Sequence, residues 1–151
     1  ILASQMDKEG KLADNSEYLK LSPTERKAIV DARIGQGRFR DSLIGYWSTC
    51  AVTGCKQLSL LRASHIKPWS LLKESPLERL SLFNGLLLSP NLDACFDSGF
   101  ITFDDKGKII LSKRLDPSDA AALGIHDEMR LNKLEAAHKK YLEFHRKEIF
   151  R

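Results

Sequence analysis

Nothing in this 151-residue chain is long and apolar enough to cross a bilayer as a helix: its hydrophobic runs are a few residues each, against the roughly 20 a spanning helix needs. No basic-then-apolar leader ending in small residues opens it. Cysteine is scarce too. Cys50, Cys55 and Cys95 are an odd number without a repeating frame, which argues against a disulfide scaffold and for a reducing compartment. Internal repeats and low-complexity tracts are also missing. These absences lead to the expectation of a soluble, cytoplasmic protein with no membrane partner. The first residue is Ile1 and not Met, which suggests a domain excised from a longer protein.

What is present is the composition of one ordinary core, with 42% hydrophobic and 29% charged residues, and one domain is the expectation. A formal charge of +4 suits an acidic partner such as nucleic acid, although charge alone is a weak pointer because many basic proteins bind none.

Residues 1–21 mix charges with few aromatics and hold no lasting apolar face, which reads as a linker or frayed helix. At Ser22 the signals sharpen: Ser22 is an N-cap, Pro23 sits at the first helical position and Glu25 completes a capping box. The pattern predicts a helix to about Arg33, a break at "GQG" (35–37), and a second amphipathic helix carrying Phe39, Leu43, Ile44 and Trp47. Between Arg26 and Arg40 five basic residues face a single Asp31, either a basic patch or an ordinary solvated helix face.

From Cys50 the period changes. "LSLLRASHI" reads as extended, "NGLLLS" as a short buried strand, and "PNLDACFDSG" as one or two helical turns closed by Gly99. "FITFDDKGKIIL" reads as a β-hairpin around an Asp- and Gly-rich turn. Residues 131–150 read as one long helix with Leu134, Tyr141, Leu142 and Ile149 inward, and Lys133, Lys139, Lys140, Arg146 and Lys147 outward. The domain would thus divide into N-terminal helices (22–45), a strand-and-helix core with the hairpin (46–112), and a helical C-terminal segment (113–151).

Polar residues punctuate this core at fixed points: His65 at the end of a strand, Asn84 at the start of another, and Asp93 and Asp97 on the helix that follows. The last two are four apart, which puts both carboxylates on one helical face, where oxygen atoms could hold a single cation.

The stretch "RASHIKPW…NGLLLSPNLDACFDSGFITFDDKGKIILS" resembles an HNH endonuclease, a ββα-metal nuclease of the variant common in bacterial restriction and antiviral defence proteins. The resemblance extends over roughly residues 33–150, taking in "RIGQGRFR", "CAVTGC" and "YLEFHRKEIF". It implies an α+β fold, a ββα-metal core flanked by helices and a hairpin, and metal-dependent hydrolysis of DNA leaving 5′-phosphate and 3′-hydroxyl ends. His65 then reads as the general base, since histidine at about 6.5 is suited to taking a proton from water. Asp93, in the place of the family's final histidine, reads as the principal metal ligand. Asn84 reads as the residue that fixes loop and imidazole by hydrogen bonds.

Two departures stand out. Ser64 occupies the place before the base where many members carry an Asp or His ligand, and Asp93 replaces a histidine. A site poorer in nitrogen favours Mg²⁺ or Mn²⁺ over Zn²⁺. Asp97 is open to two readings, a replacement ligand or a helix-end residue bonding the Gly99 turn. Ser64 as a nucleophile partnered by His65 is set aside, because strand neighbours point to opposite faces. His126, His138 and His145 lack partners of this kind; the latter two read as packing residues. Structural zinc is disfavoured, because Cys50, Cys55 and Cys95 fall one short of four ligands.

DNA contacts are assigned to Arg33, Arg38, Arg40, Arg62 and Lys67, which neutralise phosphates without reading bases. Trp69 is either a stacking wedge or a packing anchor. A separate recognition domain is expected from the simplicity of such a nuclease, and a homodimer from double-strand cleavage with one active site per chain. The rival reading is a nucleic-acid binding module that kept the scaffold and lost catalysis, with Ser64 as the mark of decay.

Overall fold

A computed structural model describes residues 19–72 and 75–151. The expectation for residues 1–21 falls largely outside that range. By internal contacts the chain divides into Ile1–Arg38 and Phe39–Arg151, and each is considered by itself.

Helix α1 (Pro23–Trp47) begins in the first unit. Ser22 and Glu25 exchange hydrogen bonds, Glu25 N donating to Ser22 Oγ and Ser22 N to Glu25 Oε2, a cap worth about 1 kcal/mol. The predicted break at Gly35–Gly37 is corrected: α1 is continuous. Glycine costs a helix about 1 kcal/mol each, but it retains the N–H that proline lacks, so the hydrogen-bond ladder passes through. Ile29 is the one buried residue among those described in this unit, and Val30 and Ile34 are exposed.

In the second unit, Phe39, Leu43 and Trp47, spaced four apart on the end of α1, are buried in the main core. After a 3₁₀ turn at Leu58–Leu60, β1 (Arg62–His65) pairs antiparallel with β2 (Gly85–Leu88), Ser64 opposite Leu86 and His65 opposite Gly85. Every residue of β2 is buried. Burial of each of its leucines stabilises by about 2 kcal/mol, which locks the register. Between the strands lie a 3₁₀ turn (Trp69–Leu71), the five-residue helix α2 (Pro76–Leu80) and a second 3₁₀ turn (Leu82–Asn84). Helix α3 (Pro90–Asp97) follows β2 directly and ends at Gly99, whose φ of +75° and contact with the Ile149 carbonyl leave no place for a side chain. The strand–strand–helix order is that of an α+β, ββα core.

The hairpin forms as the sequence implies, from β3 (Ile101–Phe103) and β4 (Ile109–Leu111). Its turn is closed by Asp104 N on the Lys108 carbonyl, and Asp104 Oδ1 accepts from the Lys106 and Lys108 amides. Helix α4 (Pro117–Ala122), capped by Asp116, interrupts the C-terminal segment. The predicted helix over 131–150 is corrected: α5 runs Ala136–Phe144 and continues as a π-helix over His145–Ile149. Residues before it are committed elsewhere, Leu131 N to the Gly107 carbonyl and Asn132 to the carbonyls of Ala51 and Cys50. Tyr141 and Leu142 point inward as the pattern predicts; Leu134 and Ile149 are half-buried. Among the described residues no helix is long and apolar enough to cross a membrane.

Candidate active site

His65 ends β1 opposite Gly85. A Cβ at Gly85 would strike the Phe39 ring and come within 2.8 Å of Leu43 Cδ2, so glycine makes room for Phe39. That ring lies flat on the imidazole, centroids 3.7 Å apart, and Trp69 meets the imidazole edge-on at 5.4 Å. His65 Nε2 lies 2.8 Å from the Arg79 carbonyl of α2. A carbonyl only accepts, so Nε2 carries the hydrogen and Nδ1 is left as the acceptor. Burial lowers the ring to about 4; the carbonyl bond opposes this and the Arg79 charge adds to it. The imidazole is therefore neutral at physiological pH, the form a base requires, although it titrates well below the 6.5 of an ordinary histidine.

Asn84 is wholly buried. Its Oδ1 accepts from Lys67 N at 2.8 Å, and its Nδ2 donates to the carbonyls of Lys67 at 3.2 Å and Glu78 at 3.5 Å. The side chain thus ties the loop after β1 to α2. The imidazole is bonded not to Asn84 but to the residue after Glu78, so Asn84 reaches it through the backbone.

Ser64, next to His65 on the strand, turns to the other face and is buried; its Oγ donates to Asp97 Oδ1 at 3.2 Å. Asp93 sits in the first turn of α3 and Asp97 at its last residue. Asp97 as a whole is exposed, yet desolvation of its carboxyl, reinforced by Asp93, raises it to about 7, and the Ser64 bond only partly offsets this. The Gly99 amide bonds the Phe96 carbonyl, so Asp97 leans on the strand and not on the turn. Ser64, Asp93 and Asp97 are brought together. His65 shares the strand of Ser64 but not its face; its ring bonds the Arg79 carbonyl and packs against Phe39 and Trp69. Consecutive Cα atoms are nonetheless only about 3.8 Å apart, so both groups flank one strand end.

Two carboxylates that repel one another beside a hydroxyl suit a hard divalent cation, which relieves the repulsion and keeps several of its own waters. Among the described residues no three His, Cys, Asp or Glu side chains converge as a metal cage. Cys50, Cys55 and Cys95 are free thiols. His138 and His145 are both fully buried, and His126 is exposed.

Of the basic residues, Arg40 is half-buried and gives two hydrogen bonds, 2.7 Å each, to the carbonyls of Leu58 and Leu61. It staples the approach to β1. Arg33 and Arg38 are exposed on α1, Arg62 is half-buried, and Lys67 lies over the Phe144 ring at 4.8 Å. Phe39, Arg79 and Tyr141 were not singled out for the site by sequence. Phe39 gave only a helix-period signal, and a backbone carbonyl such as that of Arg79 carries no signal at all.

The antiparallel pair and the following helix form a ββα unit with polar residues at its ends. Residues 50–104, a little over a third of the chain, match the family model for HNH endonucleases, and it is to these that the segment is similar. HNH endonucleases act on DNA, generally with a divalent metal. No curated protein matches the chain.

Proposed function

We propose that this module hydrolyses DNA phosphodiester bonds with Mg²⁺ or Mn²⁺, with His65 as general base and Asp93, Asp97 and Ser64 as the cation's protein partners. The observation that carries the reading is the fixed, neutral His65, whose Nε2–H is spent on the Arg79 carbonyl so that Nδ1 is the basic atom. Nδ1 takes a proton from water, the water oxygen attacks phosphorus, and the P–O3′ bond breaks. The 3′-oxygen leaves with the bonding pair and takes a proton from solvent, giving 5′-phosphate and 3′-hydroxyl ends. A divalent cation supplies charge neutralisation at the phosphate and the departing oxygen. Asn84 keeps the loop and α2 in place, and Arg33, Arg38, Arg62 and Lys67 neutralise flanking phosphates; Arg40 is left out of that set because it is half-buried and bonds the Leu58 and Leu61 carbonyls.

The restriction or defence setting in a bacterial cytoplasm rests on the sequence resemblance alone. A partner recognition domain and pairing of two copies for double-strand cuts rest on the same ground.

Supercoiled plasmid incubated with the protein tests the reading. Nicking with Mg²⁺ or Mn²⁺, its arrest by EDTA, and its loss in His65→Ala and Asp93→Ala with DNA binding intact are the expected results. Absence of nicking by the wild type across a panel of divalent ions, with DNA binding retained, would overturn it.

A further inference from the structure

Among the described residues Arg79 has no acidic partner. Its carbonyl accepts from His65 Nε2, so its own backbone touches the candidate base. Its guanidinium lies over the Trp69 ring at 4.6 Å, and Trp69 stands edge-on to His65 at 5.4 Å. Among the described residues the guanidinium makes no hydrogen bond or ion pair, and its Nε is buried with no partner. A buried donor left unpaired destabilises the state that holds it.

Several other cations of the second unit are engaged. Arg40 bonds two carbonyls, Arg146 bonds the Phe103 carbonyl and Asp105, and Lys147 pairs with Glu143. Glu78, the residue before Arg79, gives its carboxylate to Tyr141 and Lys140 instead. A guanidinium offers a planar fork of donors that matches two phosphate oxygens, and an aromatic face beneath it limits the orientations it must give up on binding.

We propose that Arg79 binds the non-bridging oxygens of the phosphate being cut, with Trp69 holding its plane in readiness. The proposal rests on the nuclease reading and adds a catalytic residue to it. Arg79's place is distinct from that of the flanking-phosphate cations: it acts where charge builds up, so its loss should appear in kcat and not chiefly in affinity.

The test is cleavage of plasmid with Mn²⁺ by Arg79→Gln, Arg79→Lys and Trp69→Leu. Arg79→Gln should lower kcat about 100-fold, the scale of losing one charge-stabilising donor, with dissociation of a short duplex changed only a few-fold. Arg79→Lys should recover part of the loss and Trp69→Leu should fall between. Cleavage by Arg79→Gln within about twofold of wild type would overturn the proposal, and so would equal losses in Arg79→Gln and Arg79→Lys that follow a drop in Tm. A second measurement separates it from the nuclease reading. In EDTA, where no cutting occurs, addition of the duplex should shift the Arg79 Nε–H resonance. A wild type that cuts nothing while that resonance moves refutes the nuclease reading and leaves phosphate binding standing; one that cuts while it stays still refutes Arg79.

Discussion

The Phe39 ring lies parallel to the His65 imidazole within 11°, and Gly85 makes this contact possible by having no Cβ. An added methyl would meet Phe39 and Leu43, both fully buried and part of the core. Gly85→Ala should therefore cost about 1–3 kcal/mol by overpacking and move Phe39 off the imidazole. Chemical denaturation and plasmid cleavage measured together check this; unchanged stability and rate would mean that the ring yields at no cost.

One half-buried histidine, His65, and one buried one, His145, make stability depend on pH. His145 lies against Phe96 with ring centroids 3.8 Å apart, its Nε2 on the Phe96 carbonyl and its Nδ1 on Thr102 Oγ1. Burial lowers both His145 and His65 to about 4. A base whose pKa is lowered by folding is held neutral in the native state, so the unfolded chain binds more protons between about 4 and 6.5. Stability from these rings is then complete above about 6.5 and is lost as pH falls towards 4, on the order of 3 kcal/mol for each. Asp97 works in the opposite sense: raised to about 7, it favours the folded state while protonated and loses that contribution as pH rises through 7. Urea midpoints should fall between pH 6.5 and 4.5, and His145→Gln should flatten that slope. An equal slope in the variant would remove His145 from the account.

Much of this was legible in the sequence because it depends on local chemistry. The Ser22–Glu25 cap, the all-buried strand from Gly85 to Leu88 and the Gly99 stop each follow from residues within a few positions of one another. The unbroken run of α1 through Gly35 and Gly37 was not legible, since glycine marks a break only where nothing else decides. Nor was the late start of α5, which depends on Asn132 reaching Cys50 and Ala51 some eighty residues away. At the site, the sequence offered His65, Asn84, Ser64, Asp93 and Asp97, and the structure puts the last three side by side. That the imidazole is held by a carbonyl from α2 and stacked on α1 is a matter of long-range packing, which no spacing encodes.

Protons and a metal should compete for Asp97. With the Asp97 carboxyl near 7, the Asp93–Asp97 pair is only partly ionised at neutral pH, and each unit of acid below that should weaken cation binding further. Apparent affinity for Mn²⁺, measured by calorimetry, should rise with pH by up to about tenfold per unit below 7 and level off above. Asp97→Asn should remove that dependence and weaken binding at high pH. A wild-type affinity that is flat from pH 5.5 to 8 would exclude Asp97 as a ligand.

Helix α5 lies outside the matched segment, yet three of its residues, each three apart, touch the loops around His65. His138 packs edge-on against Phe83 at 5.2 Å, Tyr141 donates to Glu78 Oε1 at 3.1 Å, and Phe144 lies under Lys67 at 4.8 Å. Glu78 is the link that matters most, because its neighbour Arg79 supplies the carbonyl on His65. Tyr141→Phe removes one half-buried hydrogen bond, worth about 1 kcal/mol, and leaves the Lys140–Glu78 pair at 3.5 Å. If the bond positions the base, kcat should drop on the order of tenfold, as for other partners one step behind a site, with KM and Tm little changed. Glu78→Gln keeps an oxygen acceptor and should retain most of the rate. Activity that declines only in proportion to Tm across both variants would show that Tyr141 supports the fold and does nothing for His65.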